Sequence, residues 1–151
     1  MIIAITGGTG FIGKLLLDKH LKQGHQVRLL SRYNKLARKN VQYFLGDLSS
    51  PNLNFSDFVD GVDILYHCAG EINNQSLMHD LHVNGTQRLA HAAKGKIGRW
   101  VQLSSVGAYG IYRNGIITEN SIEQPIEIYE QSKAQADRIV INSGIPFVIL
   151  R

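Results

Sequence analysis

The sequence predicts an α/β fold: a doubly wound parallel sheet of about six strands with helices on both faces. Two observations carry the prediction. Short apolar runs recur along the 151 residues, several of them separated by stretches with helical apolar spacing. A glycine-rich turn also sits directly between the first run and the first helical stretch. Composition agrees, with 44% hydrophobic and 19% charged residues, which excludes a disordered or collagen-like chain.

Each element has a local reason. Ile2-Ile3-Ala4-Ile5-Thr6 is a short apolar run stopped by glycines, so it reads as a buried strand. Gly7-Gly8-Thr9-Gly10 is the turn. Phe11, Ile12, Leu15, Leu16 and Leu21 then recur at helical spacing until Gly24, a C-terminal stop. Residues 26–30, 41–45 and 62–68 are the second, third and fourth strands. A long helix is expected over 77–93 and a fifth strand over 99–103. Residues 129–142 read as a helix closed by Ser143-Gly144, and 146–150 as a sixth strand. The stretch 110–128 is the longest irregular piece, and a loop of that length is usually functional or mobile. No internal repeat or linker interrupts the chain, so residues 1–151 form one domain.

Charge is unevenly spread. The chain carries a net charge of +4, yet residues 1–50 alone carry +6 and no carboxylate lies between Asp18 and Asp47. An anionic partner is expected there. No zinc spacing, RNA-binding aromatic signature or basic amphipathic helix accompanies the charge, so nucleic acid is not the expected partner. There is no run of eighteen apolar residues to span a membrane, and residues 1–5 are too short for a signal peptide. One cysteine, Cys68, excludes an internal disulfide framework and fits a reducing, cytoplasmic compartment.

Gly8-x-Gly10-x-x-Gly13 fits a dinucleotide fingerprint, and Gly7-x-x-Gly10-x-x-Gly13 fits its spaced variant in the same residues. One glycine makes the tight turn, one lets the backbone approach a pyrophosphate, and one lets helix and strand pack closely. Free N–H groups at the helix start then bind the anion. An NAD site usually places an acid about 20 residues further on. Here the second strand ends Leu30-Ser31-Arg32. Arg32 suits a 2′-phosphate, with Ser31 as a hydrogen-bonding neighbour and Lys35 and Arg38 adding potential. NADP is therefore favoured over NAD. Asp47 either contacts the adenine amino group or caps the next turn.

Tyr129 and Lys133 stand four apart on one helical face. An ammonium near a phenol lowers the phenol pKa, so the tyrosine can exchange a proton with a substrate hydroxyl or carbonyl. Ser104 and Ser105 follow the fifth strand, at the sheet end where open α/β folds bind ligands. A serine there can hydrogen-bond the reacting oxygen.

With these residues the sequence resembles the extended branch of the short-chain dehydrogenase/reductase superfamily, the NAD-dependent epimerase/dehydratase family, in its N-terminal, cofactor-binding part. The resemblance rests on Thr6 to Gly13, Gly46-Asp47-Leu48, His67-Cys68-Ala69-Gly70, Val83-Asn84-Gly85-Thr86, Ser104-Ser105 with Tyr109-Gly110, and Tyr129 with Ser132-Lys133. It implies a Rossmann-like fold. It implies Tyr129 as acid/base, Lys133 on the nicotinamide ribose, and Ser105 orienting the substrate oxygen. Gly7, Thr9, Gly10, Phe11, Ile12 and Gly13 would hold pyrophosphate, and Asp47 and Leu48 the adenine. Cys68, Ala69 and Gly70 would line the cofactor, and Asn84 would support the long helix near the site. Family 4,6-dehydratases carry an Asp-Glu pair where this chain has Val106 and Gly107, so a dehydratase is not expected.

The expected function is an NAD(P)-dependent reductase or epimerase acting on the hydroxyl/ketone of a nucleotide-sugar. The competing expectation is a non-catalytic NADP-binding module, a redox sensor or assembly subunit, against which the intact Ser105, Tyr129 and Lys133 argue. A homodimer is the candidate assembly, and the substrate-binding region is expected beyond residue 151. Other residues receive plainer readings. His79, His82 and His91 lack the partners of a zinc site and read as solvated or capping side chains. Cys68 reads as a packed residue rather than a nucleophile, and Trp100 as core or interface. Glu119, Glu123, Glu127 and Glu130 read as a solvated acidic face, with Glu119 a minor candidate for substrate contact.

Overall fold

The computed structural model describes residues 1–33, 36–110 and 116–151. Lys35, and residues 111–115 of the long irregular stretch, lie outside the described residues. The order is β1 (Ile2–Thr6), α1 (Phe11–Lys22), β2 (Gln26–Ser31), β3 (Val41–Leu45), α2 (Ser56–Val59), β4 (Val62–His67), α3 (Gln75–Met78), a π-helical turn (His79–Asn84), α4 (Gly85–Ala93), β5 (Ile97–Leu103), a 3-10 turn (Val106–Tyr109), α5 (Ile128–Ile141) and β6 (Phe147–Leu150). The six strands form one sheet in the order β3-β2-β1-β4-β5-β6, and all pairs are parallel. The predicted fold class is thus the observed one.

This order fixes where a ligand binds. The chain runs outward from β1 to β2 and β3, then returns to β4 on the other side. The two halves diverge at the carboxyl ends of β1 and β4, which leaves a crevice there. Both faces of the sheet are covered. Ile3, Ile5, Val27 and Leu29 pack with Leu17 of α1 on one face. Ala4, Leu65 and Trp100 pack with Phe58, Leu89, Ala93 and Val140 on the other. Trp100 is therefore core. Its indole N–H donates to Gln102 Oε1 at 2.9 Å, which satisfies the buried donor.

The helix expected over 77–93 starts two residues earlier and is not regular. Its α-helical register breaks over His79–Asn84. A π turn inserts one residue per turn and rotates the following side chains, so it commonly marks a functional position. Here it turns His82 inward, and His82 is only 1% exposed. Asn84, by contrast, donates to Asp80 Oδ1 at 2.8 Å within its own turn.

The acidic face expected between 119 and 130 is only partly solvated. Glu130 is buried, and its Oε2 accepts from the Ile126 and Glu127 N–H groups at 2.9 and 3.2 Å. That satisfies otherwise orphaned donors at the start of α5. Glu123 pairs with Arg138 and Arg151. Glu119 and Glu127 are exposed.

Candidate functional site

A cavity of about 230 Å³ lies at the carboxyl ends of β1, β2 and β4. Four chain segments wall it: the turn after β1, the end of β2, the bend after β3 and the segment after β4. Of the residues expected there, Gly7, Thr9, Gly10, Ser31, Arg32, Asp47, Leu48, Cys68, Ala69 and Gly70 all line it. Phe11 and Ile12 begin α1 beside the turn and are solvent-exposed, Phe11 by 85%.

The glycines divide their work as the geometry requires. Gly7 has φ +67°, and a Cβ there would stand 2.7 Å from Ala69 N. A Cβ on Gly13 would stand 2.3 Å from Gly7 O, so only glycine lets α1 close on the turn. A Cβ on Gly10 would meet only Gly7 O, at 3.3 Å, so its remaining surroundings are open. A Cβ on Gly8 would collide with the Leu29 side chain at 2.0 Å. Gly7 and Gly10 therefore face the cavity, Gly13 packs α1 on the turn, and Gly8 packs against β2. No acid occupies the first turn of α1, so its partial positive end meets no competing charge. An open glycine at a helix N-terminus, facing a crevice, fits the pyrophosphate of a dinucleotide.

Arg32 also lines this cavity. Against the effect of burial, the Ser49 hydroxyl and N–H hold the Asp47 carboxyl below its ordinary range, and the Asn73 and Asn74 N–H groups hold that of Glu71 down, with a smaller pull from Arg32 on each. Asp47 Oδ1 accepts from the backbone N–H and hydroxyl of Ser49 at 2.9 and 2.7 Å, so it caps its turn while lining the cavity. The Ser31 hydroxyl donates to Tyr33 O at 2.8 Å. That donor is spent on the local turn, which leaves Arg32 as the cationic feature. Burial pushes the Cys68 thiol up to about 11, so it is an inert wall residue.

Ser105, Tyr129 and Lys133 lie at the carboxyl end of β5. The Ser105 hydroxyl accepts from Gly107 N–H at 3.0 Å, which holds the 3-10 turn. Burial raises the Tyr129 pKa above its ordinary value, and the neighbouring Ser105 side chain opposes this in part. Lys133 is 4% exposed, and its ammonium donates to Leu103 O at 2.6 Å. Burial lowers its pKa, and the Asp137 carboxylate one turn on offsets this in part. Its charge is felt by His67, His82 and Cys68.

One site residue escaped sequence reasoning. His82 Nε2 accepts from Glu71 N–H at 2.8 Å, Nδ1 lies 2.8 Å from Ser132 Oγ, and its ring packs edge-on to Tyr129 with centroids 5.7 Å apart. The expectation of a solvated histidine is therefore overturned. The only sequence signal for it was an unbroken helical pattern, which hides a π turn. Gly107 has a further meaning. A Cβ there would stand 2.9 Å from Glu130 Cγ, so the place where dehydratases carry an acid is filled by another side chain.

A family model described as "NAD dependent epimerase/dehydratase family" matches residues 3–151. A Synechocystis sp. protein, provisionally named a dihydroflavonol 4-reductase, is 34% identical over 93% of this chain and 44% of its own. An Agrobacterium tumefaciens short-chain dehydrogenase/reductase superfamily protein, solved with bound NAD, superposes with TM-score 0.85 at 25% identity, over 100% of this chain and 48% of its own. MoeE5, solved with UDP-glucose and NAD, superposes with TM-score 0.84 at 25% identity, over 99% of this chain and 52% of its own. The chain spans about half the length of these relatives or less. Among the described residues no helix is long and apolar enough to cross a membrane.

Proposed function

This chain belongs to the NAD dependent epimerase/dehydratase family, and from that premise we propose that it is the cofactor-binding and proton-transfer part of an oxidoreductase or epimerase acting on a hydroxyl/ketone pair. The observation that carries the proposal is the placement of Ser105 beside the half-buried Tyr129, at the sheet end that also holds the glycine-turn cavity. A nicotinamide dinucleotide, when bound, supplies hydride transfer to and from carbon.

The chain's own residues do the rest. Gly7, Gly10 and Gly13, with the α1 N-terminus, would hold the pyrophosphate, and Asp47 and Leu48 would border the adenine. Cys68, Ala69 and Gly70 form the inner wall, and Lys133 would hold the nicotinamide ribose. Ser105 Oγ orients the reacting oxygen. Tyr129, whose pKa burial raises, gives its proton to that oxygen in reduction and recovers it in oxidation. The solved relatives hold NAD. Arg32 in the cavity, with no carboxylate between Asp18 and Asp47, supports NADP in this chain. The UDP-glucose in MoeE5 supports a nucleotide-sugar substrate, and the reductase name of the Synechocystis relative supports net reduction.

The test is Tyr129→Phe in a turnover assay with NADPH and a panel of ketones and nucleotide-sugars. We expect kcat to fall at least ~100-fold, the scale of a lost general acid. Undiminished turnover in the variant refutes the proposal.

A further inference from the structure

We infer that His82 is a positioning residue that ties the inner wall of the cofactor cavity to the backbone of Tyr129 through Ser132, as a one-way chain of hydrogen bonds. The inference rests on the reading of Tyr129 as the proton-transfer residue.

The direction of the chain follows from its first member. Glu71 lines the cavity, and its backbone N–H can only donate, so His82 Nε2 must be bare to accept it at 2.8 Å. A neutral imidazole with a bare Nε2 carries its proton on Nδ1. That Nδ1–H therefore donates to Ser132 Oγ, 2.8 Å away. The Ser132 hydroxyl, already accepting, donates its own proton to the Tyr129 carbonyl oxygen at 2.8 Å. Every donor in the run is used, and no member can reverse without leaving a buried group unpaired.

The surroundings hold this state. His82 and Ser132 are 1% and 4% exposed. Burial, with the nearby Lys133 ammonium, pushes the His82 pKa down to about 4, against a smaller opposing pull from Glu71. The ring stays neutral at physiological pH and does not act as a proton donor itself. Its edge-on packing at 81° also fixes the face of the Tyr129 ring. A movement of the Gly70–Glu71 wall, the surface that borders the cofactor, is thus passed to the first turn of α5. Glu71 is itself fixed, because its Oε1 accepts from the Asn73 and Asn74 N–H groups at 2.8 and 3.1 Å.

Two measurements test this. Nitrogen-15 NMR of the histidines in the unaltered protein reads the tautomer without reference to activity. We expect His82 to show a protonated Nδ1 and a bare Nε2, unchanged from pH 8 to pH 5.5. The opposite tautomer, or a charged ring above pH 6, overturns the inference. Kinetics then separate positioning from packing. His82→Phe keeps the ring contact and removes both hydrogen bonds, and should lower kcat about tenfold, a modest share of what misplacing a reacting group costs. NADPH Kd and substrate KM should stay within about threefold. His82→Gln, which restores a donor and an acceptor, should recover most of the rate. Should His82→Phe fail to fold, Ser132→Ala breaks the same chain one link later and should show the same kcat loss. Full kcat in whichever of these variants folds overturns the inference even with the expected tautomer. Full kcat in Tyr129→Phe overturns instead the functional reading on which it rests, and leaves the tautomer result standing.

Discussion

Gly13→Ala and Gly10→Ala add the same methyl group to the same turn and should fail in different ways. At Gly13 the new Cβ would lie 2.3 Å from Gly7 O and 2.7 Å from Gly8 Cα. Both are backbone atoms, so α1 must move off the turn. Overpacking of this kind costs about 1–3 kcal/mol, which in a chain of this size lowers Tm by roughly 3–9 °C. The shifted helix N-terminus should also lose the anion. At Gly10 the Cβ would meet only Gly7 O, at 3.3 Å, and φ is −79°, which alanine adopts freely. Replacing an N-cap glycine by alanine costs well under about 1 kcal/mol, so the melt should move by no more than ~2 °C. The methyl nevertheless occupies the open side of the turn, and dinucleotide affinity should fall at least tenfold, about 1.4 kcal/mol. Thermal melts and a fluorescence titration with NADPH read both quantities on the same samples. A Gly13→Ala protein that melts and binds as the unaltered one refutes the packing argument. A Gly10→Ala protein that binds undiminished refutes the placement of the pyrophosphate.

Three further outcomes are expected. Arg32→Ala should weaken NADPH binding about tenfold and leave NADH within about twofold, because it removes one guanidinium–phosphate pair; equal losses for both refute the 2′-phosphate role. Ser105→Ala should move the Tyr129 phenol further upward in an ultraviolet titration, since the neighbouring serine side chain lowers the phenol pKa against burial; a downward shift contradicts that contribution. Stability should fall as the protein is acidified. His67 and His82 have pKa values depressed to about 3 and about 4, so between those values and 6.5 the unfolded chain binds more protons than the folded one. Their contribution is present above pH 6.5 and is lost below it, by about 2 kcal/mol for each ring between pH 7 and pH 5. Urea midpoints at the two pH values, with a smaller drop in His82→Gln, check this.

What was legible in the sequence was local. The strands announce themselves because Ile2 to Thr6 or Val41 to Leu45 are short apolar runs between turn residues, whereas the single turn of α2 leaves no such pattern. The glycine turn is legible because its chemistry is written in consecutive residues. Choosing between Gly7 and Gly8 as its first functional member needed Leu29, whose side chain leaves no room for a Cβ at Gly8. The site's electrostatics were less legible. The four-residue spacing of Tyr129 and Lys133 says nothing of Leu103, whose carbonyl holds the ammonium 2.6 Å away. Glu123 reads as solvated until Arg138 and Arg151 are brought beside it. His82 was hidden most completely, because its partner Ser132 lies 50 residues on and a π turn leaves the apolar helical pattern intact.

We propose that the crevice between β1, β2 and β4 holds a nicotinamide dinucleotide, and backbone amide NMR during NADPH titration tests this most directly. The largest shifts should fall on Gly7 to Gly13, Arg32, Asp47, Leu48 and Cys68 to Glu71. Shifts centred instead on the groove between α2 and α4, around Arg88, His91 and Lys94, would contradict it.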